Sequence, residues 1–180
     1  MMWTDDADRV LEDDYLGDLP SRPIEEIRSM RAECKAIEDK ASYLRRMVQG
    51  RLDIVAADLR RRSEGGSAGD LPDLVDQLPG ILSDKVHAGG PGRLPSGLVP
   101  LDDDDLTADL DRVAGAGVLD RLPELSDDEV ADLARRIGDL ERDVSDRRKR
   151  LFSRIDALQG ELARRYRTGE ANVGTVLGEQ

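Results

Sequence analysis

Residues 126–169 read SDDEVADLARRIGDLERDVSDRRKRLFSRIDALQGELARRYRTG. Val130, Ile137, Val144, Leu151 and Leu158 recur every seven residues, with Leu133 and Leu140 as a second row three positions on. A seven-residue apolar repeat sustained over several turns keeps one stripe of a helix facing a partner, which is the signature of a coiled coil. Ser126 with Glu129 three residues later is a capping-box pattern that starts the helix. Gly169 supplies a residue that relaxes into the left-handed conformation past its end. Residues 24–63 follow the same plan, with Ile27, Cys34, Ala41, Val48 and Val55 in one row and Met30, Ile37 and Leu44 in the other. Pro23 stands where its missing N–H costs little. Arg60, Arg61 and Arg62 complement the carbonyl end of the helix dipole, and Gly65-Gly66 ends the segment. At about 1.5 Å per residue each helix is on the order of 60 Å long. The expected fold is all-α: a long two-helix antiparallel coiled-coil hairpin with a partly disordered connection and short accessory helices. Parallel pairing and an intermolecular bundle satisfy the same periodicity.

The rest of the 180-residue chain divides around these helices. Residues 1–20 are an acidic arm with seven carboxylates and one arginine, Arg9. Trp3, Val10, Leu11, Tyr15, Leu16 and Leu19 give it apolar content, so it reads as a docking helix or a disordered arm, and its charge favours disorder. Residues 21–63 form the first coiled-coil helix. Residues 64–125 are a Gly- and Pro-rich connection, with short helices expected at 74–82 and 106–113 and a mobile loop at Gly89-Gly90-Pro91-Gly92. The aspartates 102–105 suit a helix N-terminus. Residues 126–169 form the second coiled-coil helix, and residues 170–180 are a tail.

Composition narrows the function classes. Aromatic residues are only 3% and charged residues 37% of the chain, which disfavours a conventional globular core. Cys34 and His87 are the only cysteine and histidine, so no disulfide or cysteine-based zinc site is expected. His87 reads as a solvated loop residue. No signal peptide and no membrane span are legible, and a cytoplasmic location is expected. Without a metal-ligand cluster or a Gly-rich phosphate loop, no catalytic residue, metal or cofactor is expected, and the chain does not read as an enzyme.

A polar pattern runs beside the apolar rows. Glu38, Ser42, Arg45, Gln49 and Asp53 are spaced four, three, four and four residues apart. Glu141, Ser145, Arg148, Phe152 and Asp156 repeat that spacing after an offset of 103 residues, which also superposes Ala41 on Val144 and Val48 on Leu151. At 100° per residue the five positions fall within an arc of about 80°, a stripe roughly 22 Å long. Charged residues at this spacing are common on solvated helices, where they form weak ion pairs. Two copies in one register, each with a serine that is a poor interior helix residue, point instead to a function.

The pattern E-x3-S-x2-R-x3-Q-x3-D, present twice, resembles that of the RsiG family, actinobacterial anti-sigma factors that bind cyclic di-GMP. The first copy matches at five positions and the second at four, since Phe152 replaces the glutamine. The resemblance covers the two long helices. It implies an antiparallel coiled coil whose motifs face a pair of cyclic di-GMP molecules held against a WhiG-type sporulation sigma factor. The implied ligand-binding residues are Glu38, Ser42, Arg45, Gln49, Asp53, Glu141, Ser145, Arg148 and Asp156, with Phe152 at the altered position.

The residue chemistry agrees with that implication. An arginine fork matches the paired O6 and N7 acceptors of guanine, and a carboxylate such as Asp53 or Asp156 accepts from its N–H donors. Ser42 and Ser145 suit phosphate or ribose oxygens, and Gln49 both donates and accepts. Glu38 and Glu141 either orient an arginine or take a guanine N–H. Phe152 either stacks on a base or extends the apolar seam.

The net charge of −12 argues against direct DNA binding. It is unevenly spread, because residues 22–63 carry a net +4 and residues 127–168 a net +1, leaving −17 elsewhere. Acidic segments are therefore available to cover a basic sigma-factor surface. The leucines of 71–82 and 106–122 either contact that partner or fold back on the hairpin. The competing reading is a structural coiled-coil adaptor without a nucleotide ligand.

Overall fold

In a computed structural model of the chain, residues 2–65, 104–115 and 117–170 are described. The helix expected at 74–82, the loop around Gly89 and most of the C-terminal tail lie outside them. Four α-helices occur among the described residues: α1 (Met2–Leu11), α2 (Ile24–Ser63), α3 (Asp104–Ala114) and α4 (Asp127–Thr168). Short 3-10 turns at Leu19–Ser21 and Leu122–Glu124 precede the two long helices. No strand is present among these residues, and the fold is an all-α helical hairpin.

Local chemistry sets the helix ends. The Ser126 N–H and Oγ both donate to Glu129 Oε2, at 2.8 and 2.7 Å, and the Glu129 N–H returns to Ser126 Oγ at 3.4 Å. These bonds hold the Glu129 carboxyl below its ordinary range. Gly65 and Gly169, at φ +88° and +75°, take the left-handed conformation just past α2 and α4 that residues with a Cβ adopt at a cost.

The chain forms two compact units, built from the described residues of Met1–Tyr43 with Asp143–Gln180, and of Leu44–Arg142. In the first unit, Ile27, Cys34, Ile37 and Ala41 of α2 are buried with Val144, Leu151, Leu158 and Leu162 of α4. The helices pair antiparallel, since Arg28 Nη2 donates to Tyr166 Oη at 2.5 Å while Arg148 Nε reaches Glu38 at 3.0 Å. In the second unit, Leu44, Val48 and Val55 are buried with Val130, Leu133 and Ile137. Arg45 meets Glu141 and Arg62 meets Asp127, again antiparallel.

The N-terminal arm departs from expectation. Composition favoured disorder, yet α1 is a helix whose Ala7, Val10 and Leu11 are buried. The reason lies on α4, whose second apolar row stops at Leu140 and continues as Arg147 and Arg154. Arg150 Nη2 and Arg154 Nη2 donate to the Leu11 carbonyl at 3.0 and 3.2 Å, and Arg154 also reaches the Glu12 carbonyl at 3.0 Å. Carbonyls that a short helix leaves unpaired are thus capped by arginines of another element. Arg9 and Tyr15 both donate to Glu33, at 2.6 and 2.7 Å. The Arg9 hydrogen bond, reinforced by that of Tyr15, outweighs burial and lowers the Glu33 carboxyl.

The second unit repeats the device. The second row of α2 turns charged at Arg51, which binds Asp111 of α3 at 2.7 Å, and Arg136 donates to the Val113 carbonyl at 2.9 Å. Leu110, Ala114, Val118 and Leu122 are buried, so these apolar residues of 106–122 fold back on the hairpin. Each 3-10 turn is braced the same way. Arg62, held by Asp58, donates to the carbonyls of Leu122 and Leu125 at 2.7 and 2.6 Å. Arg165, held by Glu161, donates to those of Leu19 and Pro20 at 2.7 and 3.1 Å.

Candidate functional site

The stripe residues assemble into two clusters, one per unit, and each cluster draws on both long helices. In the first unit, Glu38 of α2 is buried at 3% relative exposure although it is charged. Its Oε1 accepts from Ser42 Oγ at 2.6 Å and Arg148 Nε at 3.0 Å, and its Oε2 accepts from Lys35 Nζ at 2.7 Å. Arg148 Nε also reaches Ser42 Oγ at 2.7 Å. Burial pushes the Glu38 carboxyl up. The hydrogen bonds and charge of Lys35, with those from Ser42 and Arg148, outweigh it and leave the group below its ordinary value. A buried carboxylate stays ionised when donors satisfy it in this way.

Phe152 completes this cluster. It lies on α4 one turn beyond Arg148, and the guanidinium carbon sits 4.7 Å from the ring centroid. The ring is 39% exposed and so is not part of the apolar seam. Arg148 is held at its Nε edge and across one face, and its Nη1 and Nη2 atoms make no hydrogen bond to the described residues. That is the fork a guanine edge or a phosphate matches.

In the second unit, Glu141 of α4 faces Arg45 and Gln49 of α2. Its Oε1 accepts from Arg45 Nε at 3.0 Å and from Gln49 Nε2 at 3.1 Å. Glu141 retains 19% side-chain exposure against 4% for Glu38. The roles are thus exchanged across the hairpin: each glutamate positions the arginine of the other motif copy. Asp53 of this unit is half-buried, as is Ser145 of the first unit, whereas Asp156 of the first unit is exposed and has no ion pair or hydrogen bond among the described residues.

The α1 helix meets α4 on another side. Arg147, Arg150 and Arg154, which meet α1, stand about 100° or more round α4 from Ser145, Arg148, Phe152 and Asp156. Lys35 is a site residue that the motif did not reveal, and its three-residue spacing from Glu38 was the available signal. A wider repeat was also legible. Thr4-x-Asp6-x-Asp8-Arg9-Val10 recurs as Thr107-x-Asp109-x-Asp111-Arg112-Val113, and Leu19-Pro20 as Leu122-Pro123, all at the same 103-residue offset. The repeat therefore reaches beyond the long helices to the short helices and turns. No group of three or more metal-ligating side chains occurs among the described residues, and no described helix is long and apolar enough to cross a membrane.

Fold and site together define a class: an α-helical hairpin protein that carries one polar motif on each long helix and pairs the two copies across the seam. Its family follows from comparison with protein-family models. The RsiG-like model matches residues 13–82 and 116–179, and the chain belongs to the RsiG-like family. The match leaves α1 and α3 outside it. No curated protein matches the chain.

Proposed function

We propose that this protein is a cyclic di-GMP-dependent anti-sigma factor. It holds the nucleotide on the motif flank of the hairpin and sequesters a WhiG-type sporulation sigma factor while the second messenger is abundant. The observation that carries this reading is the crossed pairing of Glu38 with Arg148 and of Glu141 with Arg45. Each pairing fixes an arginine in advance, and pre-organised charge-assisted donors suit a planar, phosphate-bearing ligand. Two such clusters accord with two nucleotide molecules. Ser42 and Ser145 serve as phosphate or ribose donors, Gln49 as a polar contact, and Asp53 and Asp156 as acceptors for guanine N–H groups. The role is regulatory and cytoplasmic, with no catalysis, metal or cofactor and no direct contact with DNA.

Association with a sigma factor, measured by pull-down with and without cyclic di-GMP, tests the proposal. Recovery only with nucleotide is expected. Recovery indifferent to nucleotide would refute ligand dependence, and a flat calorimetric titration with cyclic di-GMP would favour a structural adaptor.

A further inference from the structure

The two motif copies differ at one position, where Gln49 donates to Glu141 in one cluster and Phe152 covers Arg148 in the other. We propose that Phe152 is a specificity residue that makes the two ligand sites unequal, by stacking on a purine base of the bound nucleotide. The inference rests on the cyclic dinucleotide reading above and adds which contacts each site makes.

Three observations point to the stacking role. Phe152 is the chain's only phenylalanine, and its ring is 39% exposed on the motif flank rather than buried in the seam. One side of the ring lies against a guanidinium that Glu38 and Ser42 already hold through Nε, so ring and cation support each other before any ligand arrives. The side chain is 39% exposed, and a phenyl face at a nucleotide site accepts any base by stacking. A cyclic dinucleotide carries two bases and two phosphates, so the Arg148 fork and the ring engage different parts of one ligand. In the other cluster the matching position is Gln49, whose amide donates to Glu141 beside Arg45.

Calorimetric titration of cyclic di-GMP into the full chain tests this with Phe152→Leu, Phe152→Tyr and Arg148→Ala. Wild type is expected to bind in two unequal steps. Phe152→Leu weakens one step about tenfold and leaves the other unchanged, while Phe152→Tyr retains wild-type affinity. Unchanged helicity by circular dichroism confirms that the exposed substitution leaves the fold intact. The inference is overturned if Phe152→Leu superimposes on wild type while Arg148→Ala weakens binding, which leaves the nucleotide reading standing. It is equally overturned if Phe152→Leu binds more tightly, making the ring an obstruction, or weakens sigma-factor capture alone, making it a protein contact. No heat from wild type would remove the nucleotide reading, and this inference with it.

Discussion

The two units solve the same problem with different degrees of enclosure. Each pairs a glutamate from one motif copy with an arginine from the other. In the first unit Glu38 is buried and collects Lys35, Ser42 and Arg148, whereas in the second Glu141 is more exposed and meets Arg45 and Gln49. Carboxylate burial raises what its donors contribute, because water no longer competes for them and losing one strands a charge. The identical spacing of the motif copies therefore does not imply equal energetics.

The largest test of that difference concerns ligand affinity. Arg148→Ala and Arg45→Ala each remove a charged donor, and each is expected to weaken cyclic di-GMP binding at its own site by about 10- to 100-fold, measured by calorimetry. Loss at both sites from either substitution would show that the units act as one. Next in size is the stability contrast. Glu38→Ala should cost about 2 kcal/mol in urea denaturation and Glu141→Ala about 1 kcal/mol, and equal costs would break the comparison.

Acid gives a third contrast. Glu38 is held below its ordinary value of 4.5, so its stabilisation is complete above that pH and is lost as pH falls through the lower folded value. Thermal melts at pH 7 and pH 3 should show a smaller acid-induced drop for Glu38→Gln than for wild type. The smallest effect separates the starts of the long helices. Ser126→Ala breaks the capping box and should lower stability by about 1 kcal/mol, whereas Pro23→Ala at the start of α2 should change it by less, both read from urea midpoints.

The long helices were legible because their determinants are local or periodic: the heptads, Pro23, the Ser126–Glu129 box and the terminal glycines. The α4 helix spans Asp127–Thr168 between those signals and α2 ends at Ser63, while α2 begins at Ile24, three residues after the expected start at 21. The α1 helix was not, because its acidic composition resembles a disordered arm while its capping donors come from Arg150 and Arg154, far along the chain. The motif stripe was readable residue by residue. Its crossed pairing was not, since spacing within a helix says nothing of which residue on another helix stands opposite. Phe152 read equally well as a stacking ring or as part of the seam, and its exposure beside Arg148 excludes the seam.

The arginines that interrupt the second apolar rows also govern what else the coiled coil admits. An apolar helix laid on either row would have to bury Arg51 in one unit, or Arg147 and Arg154 in the other, against a surface that offers no acceptor, a cost of several kcal/mol per charge. The chain's own α1 and α3 meet these residues with carbonyls and aspartates instead, as a lock accepts only its cut key. Promiscuous growth into larger bundles is thereby disfavoured at these rows in each unit.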